Sequence, residues 1–291
     1  MIRFGTAGNG QAFYAAGHSS SLDMPKFLAG VGLNAYEYQC GRGVNVKEEF
    51  CRKLAGAAAE HGIALSIHAP YFINLATPDP RVQESSLNHI RKSLAAAQAM
   101  GAKRIVVHPG SVGKGTRREA VARALDLLER VLEELIPDYP GIMLCLETMG
   151  KLNQLGTLEE IIELCQLADC LMPTVDFGHL HARGLGAVKG RDEFEEILDR
   201  IDAGLGAHVV QNLHIHFSPI EYGKGGEIRH RTFAEEDYGP HFEPLAGIIA
   251  RDRLTPVVIS ESAGAQVEDA LTMQELYRRY LGREGEDRDE V

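Results

Sequence analysis

The segment Pro173-Thr-Val-Asp-Phe-Gly-His-Leu-His-Ala-Arg-Gly184 joins a short apolar run to a carboxylate and two histidines. The apolar run that ends at Asp176 predicts a buried strand, and His179 and His181 follow in a segment that becomes rich in glycine. Carboxylate oxygen and imidazole nitrogen together are a ligand set suited to zinc or manganese. The alternative is a strand followed by an ordinary histidine-containing turn, so the interpretation depends on how the other strands end.

Eight short apolar runs alternate with eight segments of helical periodicity along the chain. The predicted strands are Ile2–Thr6, Ala35–Tyr38, Ala64–His68, Arg104–His108, Ile142–Glu147, Thr174–Asp176, Val209–His216 and Pro256–Glu261. The predicted helices cover about 20–30, 46–61, 81–100, 117–135, 157–167, 191–203, 241–251 and 266–281. This alternation predicts an α/β protein, a single-domain (β/α)8 TIM barrel over 1–282, followed by a charged, disordered tail at 283–291. A doubly wound sheet is the alternative, but no Gly-x-Gly-x-x-Gly turn follows the first strand.

Composition limits the classes of function. The chain has 291 residues, 44% of them hydrophobic, and a net charge of −11. Acidity lowers the expectation of nucleic-acid binding, although a local basic rim stays compatible with it and bound metals would offset several carboxylates. Five cysteines without a Cys-x-x-Cys pair predict a reduced, cytoplasmic protein. No apolar run approaches about 18 residues, so we expect no membrane span, and we expect a monomer.

The barrel interpretation places functional groups where the strands end, because the C-terminal strand ends meet at one mouth. Burial of ionisable groups there is costly unless they are paired, so their convergence favours a metal cluster. His214 and His216 alternate along their strand and therefore face the same side at different heights. The strand-end residues able to bind metal are Glu37, His68, His108, Glu147, Asp176, His179, His214, His216 and Glu261.

The loops after these strands supply further candidates. Tyr71 follows a proline and could stack on a substrate ring, although ordinary loop packing is the alternative. A glycine-rich loop at 221–230 carries Glu227 and His230, which make a third ligand group plausible; the alternative is a mobile surface loop. The candidate substrate-binding residues are Tyr71, Asn74, His181 and His216.

Five motifs follow one another along the chain. They are Ser66-Ile-His-Ala-Pro-Tyr-Phe-Ile-Asn-Leu75, Val106-Val-His-Pro-Gly-Ser111, Leu146-Glu-Thr-Met-Gly150, Val175-Asp-Phe-Gly-His-Leu-His-Ala-Arg-Gly184 and Ile259-Ser-Glu-Ser262. Taken in this order, they resemble those of the endonuclease IV family of apurinic/apyrimidinic (AP) endonucleases, within the xylose-isomerase-like barrels. The resemblance extends from about residue 60 to 270. The chain lacks the family's His-Val-Ser run after strand 1, which indicates a divergent branch.

This resemblance implies a barrel that holds three zinc ions and cleaves double-stranded DNA 5′ to abasic sites in base excision repair. It implies a first zinc bound by His68, His108 and Glu147. It implies a second zinc bound by Glu147, Asp176, His214 and Glu261, with Glu147 bridging the two. His179 resembles a ligand of the third zinc, which the family completes with an Asp-x-His pair; the nearest match here is Glu227 and His230. Glu147 and Glu261 are the implied catalytic residues, Glu261 as ligand and proton acceptor.

Two other functions stay open from the sequence. A sugar isomerase or epimerase on the same scaffold would use one or two metal ions, such as manganese, with Glu147 and Glu261 around a small ketose. It would have no use for a third histidine-rich group. A metal-binding or nucleic-acid-binding module without turnover is the other alternative, although an open mouth argues against a purely structural metal site. The number of bound metal ions would separate the first two.

Overall fold

In the computed structural model, eight parallel strands close into a barrel in the order β1-β2-β3-β4-β5-β6-β7-β10, which confirms the predicted single-domain (β/α)8 TIM barrel. Strands β8 and β9 form a separate antiparallel hairpin. The strands are β1 (Arg3–Ala7), β2 (Ala35–Gln39), β3 (Ala64–His68), β4 (Arg104–Val107), β5 (Met143–Glu147), β6 (Leu171–Asp176), β7 (His214–Phe217), β8 (Ile220–Gly223), β9 (Gly226–His230) and β10 (Val257–Ser260).

Helices surround the barrel. The structure describes residues 1–289, and the side chains of residues 1–282. The predicted disordered tail, 283–291, therefore lies outside the fully described residues, and the domain bounds stay a prediction. The helices are α1 (Gln11–Ala15), α2 (Met24–Val31), α3 (Glu48–His61), α4 (Pro80–Met100), α5 (Arg117–Glu134), α6 (Leu158–Cys165), α7 (Phe177–Arg183), α8 (Arg191–Leu205), α9 (Ala207–Gln211), α10 (Glu243–Arg251) and α11 (Gln266–Asp289).

Local sequence accounts for where the outer helices begin and which face they bury. The Thr157 side chain accepts from the Glu160 amide, and the Glu160 carboxylate accepts from the Thr157 amide, which is the predicted capping box at the start of α6. On α4, Leu87, Ile90 and Leu94 recur at helical spacing and are all buried against the strands. The described part of the chain contains no helix long and apolar enough to cross a membrane.

Three segments differ from the sequence prediction. The predicted seventh strand, Val209–His216, is extended only from His214, because the first pairs of β7 with β6 and β10 begin there; the preceding residues form α9. The turn after β6 is α7, which begins where the Asp176 carboxylate accepts from the His179 amide at 2.6 Å. The glycine-rich segment after β7 is the β8–β9 hairpin.

The barrel register sets the height of each inward side chain. On β7, His216 is level with Asp176 of β6, whereas His214 is level with Thr174, two residues deeper. At the opposite end of the barrel, the Arg104 guanidinium crosses the interior and donates to the Leu213 carbonyl at 3.0 Å. Arg104 therefore links β4 to the start of β7 at one end of the barrel, whereas ionisable side chains line the other end.

Candidate metal centre

Glu147, at the end of β5, is the centre of a buried cluster of imidazoles. Its Oε2 atom lies 2.9 Å from His108 Nε2 and 3.4 Å from His68 Nε2. Its Oε1 atom lies 3.3 Å from Nδ1 of both His179 and His216. Each carboxylate oxygen therefore faces a different pair of imidazoles, which is the arrangement that a bridging ligand requires.

Two ligand groups share this carboxylate. His68, His108 and Glu147 offer three donor atoms within 4.8 Å of one another. Glu147, Asp176, His216 and Glu261 offer four atoms within the same limit. The first group has the members that the resemblance implied, and the second contains His216 where the sequence interpretation placed His214.

A third group comes from α7 and the hairpin. His179 Nε2 lies 3.5 Å from Glu227 Oε2, and the His179 and His230 rings are 5.3 Å apart between centroids. These three residues also place one donor atom each within 4.8 Å of the others. The group stands beside Glu147, because the other nitrogen of His179 faces that carboxylate.

A bulge in the hairpin explains why Glu227 and His230 face the same side. Residues three apart on a regular strand point to opposite faces. Here Tyr222 pairs with Glu227 but Glu221 pairs with Arg229, so β9 carries one extra residue between Glu227 and Arg229. Such a bulge restores the common orientation of the Glu227 and His230 side chains. The one-residue difference from the family's Asp-x-His spacing is therefore absorbed by the backbone.

The hairpin is held against the loop that follows β5. The Glu227 amide donates to the Gly150 carbonyl at 3.1 Å, and the Leu152 amide donates to the Gly225 carbonyl at 3.1 Å. A Cβ atom on Gly150 would lie 2.7 Å from Glu227 Cβ and 3.0 Å from His179 Cδ2. Only glycine at position 150 lets the hairpin approach closely enough to bring Glu227 beside His179.

Two arginines donate hydrogen bonds to backbone carbonyls of the same loop, the one that follows β5. Arg183, on α7, donates to the carbonyls of Met149, Lys151 and Gln154 at 2.8–3.1 Å. Arg117 donates to the Gln154 carbonyl at 3.0 Å and pairs with Glu160. The loop carries no regular secondary structure of its own, so these contacts define its shape and, through it, the position of the hairpin.

Backbone carbonyls fix the orientation of two of the imidazoles. His68 Nδ1 lies 2.8 Å from the Ala69 carbonyl, and His179 Nδ1 lies 2.9 Å from the Thr148 carbonyl. A ring nitrogen that donates to a carbonyl leaves the other nitrogen with a free lone pair, which is how metal-binding histidines are usually held. His68 therefore presents Nε2 to Glu147, and His179 presents Nε2 to Glu227 while its Nδ1 also lies near Glu147.

The pKa values show how charge is balanced among the side chains of the cluster. Burial alone would raise the pKa of Glu147, but His108 and His216 hold it well below its usual value. Burial would lower the pKa of His179, yet the Asp176 and Glu147 carboxylates raise it to about 10. In the same way, Glu147 raises the pKa of His68 to about 8 against the effect of burial. Protons on imidazoles thus offset the carboxylates, and a divalent cation would replace them.

Two buried carboxylate oxygens in the cluster lack well-directed hydrogen-bond donors, as expected of atoms that bind a cation. Asp176 Oδ2 is buried and accepts no hydrogen bond from the described residues, and Glu147 Oε2 has no well-directed donor. Burial also raises the pKa of Asp176, because its charge is poorly compensated. Buried carboxylate oxygens without donors are costly, so the imidazole and carboxylate donors here suit a divalent ion of the zinc or manganese type.

A cavity of about 840 Å³ opens onto the cluster at the C-terminal end of the barrel. His68, His108, His179, Glu227, His230 and Glu261 contribute to its wall. Tyr71 lines it too, with 55% of the side chain exposed and its ring centroid 5.3 Å from that of His108. The rim carries two cationic side chains, Arg42 and Lys151. The metal groups thus lie in the floor of an open cleft with basic residues at its edge.

The structure separates the four predicted substrate-binding residues. Only Tyr71 lines the cavity. Asn74 Oδ1 instead accepts from the amides of Ala76 and Ser111, so it joins two loops. His181 Nδ1 lies 2.7 Å from the Val188 carbonyl, and its ring packs against Tyr222 behind the hairpin.

The structure places His216 and His214 differently from the sequence expectation. His216 is buried within the second ligand group rather than facing substrate, and His214 lies deeper, beside Glu37. The alternation of side chains along β7 predicted that both face inward, but only the pairing with β6 shows which one reaches Asp176. Glu37 was named among the strand-end residues able to bind metal but was placed in none of the three ligand sets, and sequence reasoning missed its contacts with His214 and His216.

Comparison with known proteins agrees with this geometry. The family described as xylose isomerase-like TIM barrel matches residues 25–278. An uncharacterized protein of Methanocaldococcus jannaschii is 34% identical over 276 residues, which cover 94% of this chain and 96% of that one. The probable endonuclease 4 of Mycoplasma pneumoniae is 30% identical over 208 residues, 69% of each chain.

Solved structures share the fold. A D-tagatose 3-epimerase-like protein superposes with a TM-score of 0.72 at 23% identity, over 98% of this chain and 99% of that one. Endonuclease IV from Thermus thermophilus superposes with a TM-score of 0.66 at 20% identity, over 97% of this chain and 99% of that one. The fold is therefore common to proteins whose names indicate two different chemistries.

Proposed function

The chain belongs to the xylose isomerase-like TIM barrel family, and on that basis we propose that it is a metal-dependent phosphodiester hydrolase that cleaves double-stranded DNA 5′ to abasic sites in base excision repair. The observation that carries this proposal is the third ligand group, His179, Glu227 and His230, beside Glu147. Sugar epimerisation at one or two metal ions would not require it. Relatives named probable endonuclease 4 support the same choice.

Three divalent ions, zinc in the first instance, are part of the proposal. When bound, such ions would activate a water molecule and neutralise negative charge that develops on the phosphodiester. Manganese is the alternative ion that the same donors accept. The first ion would be held by His68, His108 and Glu147. The second would be held by Glu147, Asp176, His216 and Glu261, and the third by His179, Glu227 and His230.

The residues of the chain have distinct tasks in this scheme. Glu261 has 14% of its side chain exposed, and nearby His216 lowers its pKa to about 2 despite burial, so it is an anion at neutral pH that can bind a metal ion. Tyr71 offers an exposed ring against which a base or deoxyribose can pack. Arg42 and Lys151 supply positive charge at the rim, where phosphates of a duplex would approach an otherwise acidic protein.

Incision of a defined substrate tests the proposal. The purified protein is incubated with a duplex that contains one tetrahydrofuran abasic analogue, with and without chelator, while bound metal is counted by mass spectrometry. We expect chelator-sensitive incision on the 5′ side, with a 3′ end that a polymerase can extend. Glu147→Gln is expected to lose incision and more than one equivalent of metal. Glu49→Gln, an exposed change on α3, serves as the matched control.

A sugar epimerase is the second candidate, because the epimerase-like neighbour superposes over nearly the whole chain. It predicts one bound metal ion, no incision and interconversion of ketohexose epimers, measured by chromatography. Absence of incision at high enzyme concentration, together with epimerisation, would replace the nuclease proposal. A cytoplasmic, monomeric protein belongs to the nuclease proposal, and size-exclusion chromatography tests the monomer.

A further inference from the structure

Glu37 is a fully buried carboxylate one layer beneath the metal groups, and neither the proposed chemistry nor the predicted ligand sets use it. It lies on β2, with its side chain in the barrel interior. Its Oε2 atom lies 2.8 Å from His214 Nε2, and its Oε1 atom lies 3.0 Å from His216 Nε2. A charge placed there must be compensated by its neighbours, so these contacts define what it does.

Protein donors surround the Glu37 carboxylate. Ser66 Oγ donates to Oε2 at 2.9 Å, and His214 Nε2 donates to the same oxygen. Gln39 Nε2 donates to Oε1 at 3.4 Å, beside the contact with His216. A carboxylate accepts about four hydrogen bonds, and four donor groups surround this one. Two protein donors therefore occupy the Oε2 atom of Glu37. Glu37, His214 and His216 also have one donor atom each within 4.8 Å of one another, so a role as metal ligand is the alternative to a role in positioning.

The two nitrogens of His216 face in opposite directions. Nε2 lies 3.0 Å from Glu37 Oε1 without a well-directed hydrogen bond, whereas Nδ1 is hydrogen-bonded to Glu147 Oε1 at 3.3 Å and lies 3.4 Å from Glu261 Oε2. Metal-binding imidazoles usually bind through one nitrogen while the other donates to a carboxylate or carbonyl. For His68 and His179, backbone carbonyls accept the hydrogen bond from the nitrogen that does not bind metal. For His216 the acceptor is a buried charge, which is the stronger orienting partner.

We propose that Glu37 is a positioning residue that holds His216 in the Nε2–H form, so that its Nδ1 atom is free to bind a metal ion together with Glu147, Asp176 and Glu261. This inference rests on the proposed metal centre. His214 supports the arrangement from below, since its ring donates to the other oxygen of Glu37. The interior of the barrel therefore contains a chain of polar contacts, His214–Glu37–His216, that ends at the second ligand group.

Metal affinity tests the proposal directly. Glu37→Gln keeps the shape of the side chain but removes the charge, and an amide can present NH2 to His216 and thereby favour the Nδ1–H form. We expect zinc affinity, measured by competition with a chromophoric chelator, to fall by about 10–100-fold at one site. Nitrogen-15 NMR of the zinc-loaded wild type is expected to show a proton on His216 Nε2 and the metal on Nδ1. The matched control, Glu49→Gln, is expected to bind zinc like the wild type.

A second variant keeps the test useful if Glu37→Gln does not fold. Ser66→Ala removes one donor to Glu37 and leaves the charge in place, so it is expected to weaken zinc in the same direction but less. Unchanged affinity in both variants, or a metal on His216 Nε2 in the NMR spectrum, would overturn the proposal. So would the loss of one metal equivalent from Glu37→Gln with the other affinities unchanged, because Glu37 would then be a ligand itself. A wild type that binds metal but does not incise abasic DNA contradicts the proposed function alone, since affinity and NMR still report on Glu37.

Discussion

Replacement of Gly150 by alanine is expected to remove the third ligand group while leaving the other two. The backbone of Gly150 is outside the left-handed region, so alanine is permitted there and only contacts decide the result. The added Cβ would stand 2.7 Å from Glu227 Cβ, whereas carbon atoms pack at about 3.5–4.0 Å. The hairpin must therefore move by about 1 Å. Metal–ligand distances tolerate deviations of only about 0.2 Å.

The size of the effect follows from the same contact. Overpacking of a rigid site costs about 1–3 kcal/mol, and the atom that is met belongs to the hairpin rather than to the far end of a flexible side chain. We expect the melting temperature to fall by a few degrees, since about 2–4 °C corresponds to 1 kcal/mol in a domain of 150–250 residues. We also expect one metal equivalent fewer per chain by mass spectrometry.

Gly56→Ala on α3 is the matched control. A Cβ atom there meets no heavy atom of the described chain within 4 Å, and alanine is favoured over glycine inside a helix by about 0.5–1 kcal/mol. It should raise stability slightly and leave the metal content unchanged. Full metal content in Gly150→Ala, with incision at the wild-type rate, would refute the argument that this glycine positions the hairpin.

The pH dependence of stability and the loop arginine give two further predictions. The folded-state pKa values of His68 and His179 are raised to about 8 and about 10, so without metal their stabilisation is complete below about pH 6.5 and is lost as the pH rises through those values. The pKa of Glu261 is lowered to about 2, so its stabilisation is complete above about pH 4.5 and is lost as the pH falls towards 2. Urea denaturation in the presence of chelator should therefore show the highest free energy of unfolding between about pH 4.5 and 6.5. Saturating zinc should remove the loss of stability at alkaline pH, because metal ions bind neutral imidazoles. A loss of stability at alkaline pH that persists with zinc would contradict this reasoning. Arg183→Met should cost about 1–3 kcal/mol in urea denaturation, because the half-buried bonds to the Met149 and Gln154 carbonyls are lost. Arg52→Met, which removes an exposed pair, should cost less than about 1 kcal/mol, and equal losses would contradict the role of Arg183.

Sequence was most informative where the fold imposes convergence. Alternating strands and helices predicted the barrel, and a barrel brings all C-terminal strand ends together, so His68, Glu147 and Asp176 could be grouped without any knowledge of their distances. The residue type at each strand end was sufficient to predict the cluster, because the barrel topology alone sets where the strand ends lie. Tyr71 was found in the same way, since it lies in the loop immediately after β3.

Sequence was least informative where a one-residue difference decides the outcome. Alternation places His214 and His216 on one face, but the pairing of β7 with β6 decides which is level with Asp176, and the prediction placed the start of β7 five residues too early. Asn74 and His181 are polar residues in mouth loops, and only the structure shows that backbone groups satisfy them. Glu37 acquires its partners from β3 and β7, and no local pattern reports such long-range contacts.

The bulge in β9 bears on how ligand motifs change during evolution. Because one extra backbone residue is accommodated there, a hairpin of this kind can gain or lose a residue between Glu227 and His230 and still keep both side chains on one face. Glu-x-x-His and Asp-x-His would then be length variants of one site rather than different sites. A search pattern of fixed spacing would overlook chains of this kind, whereas a pattern that permits one inserted residue in the hairpin would recover them.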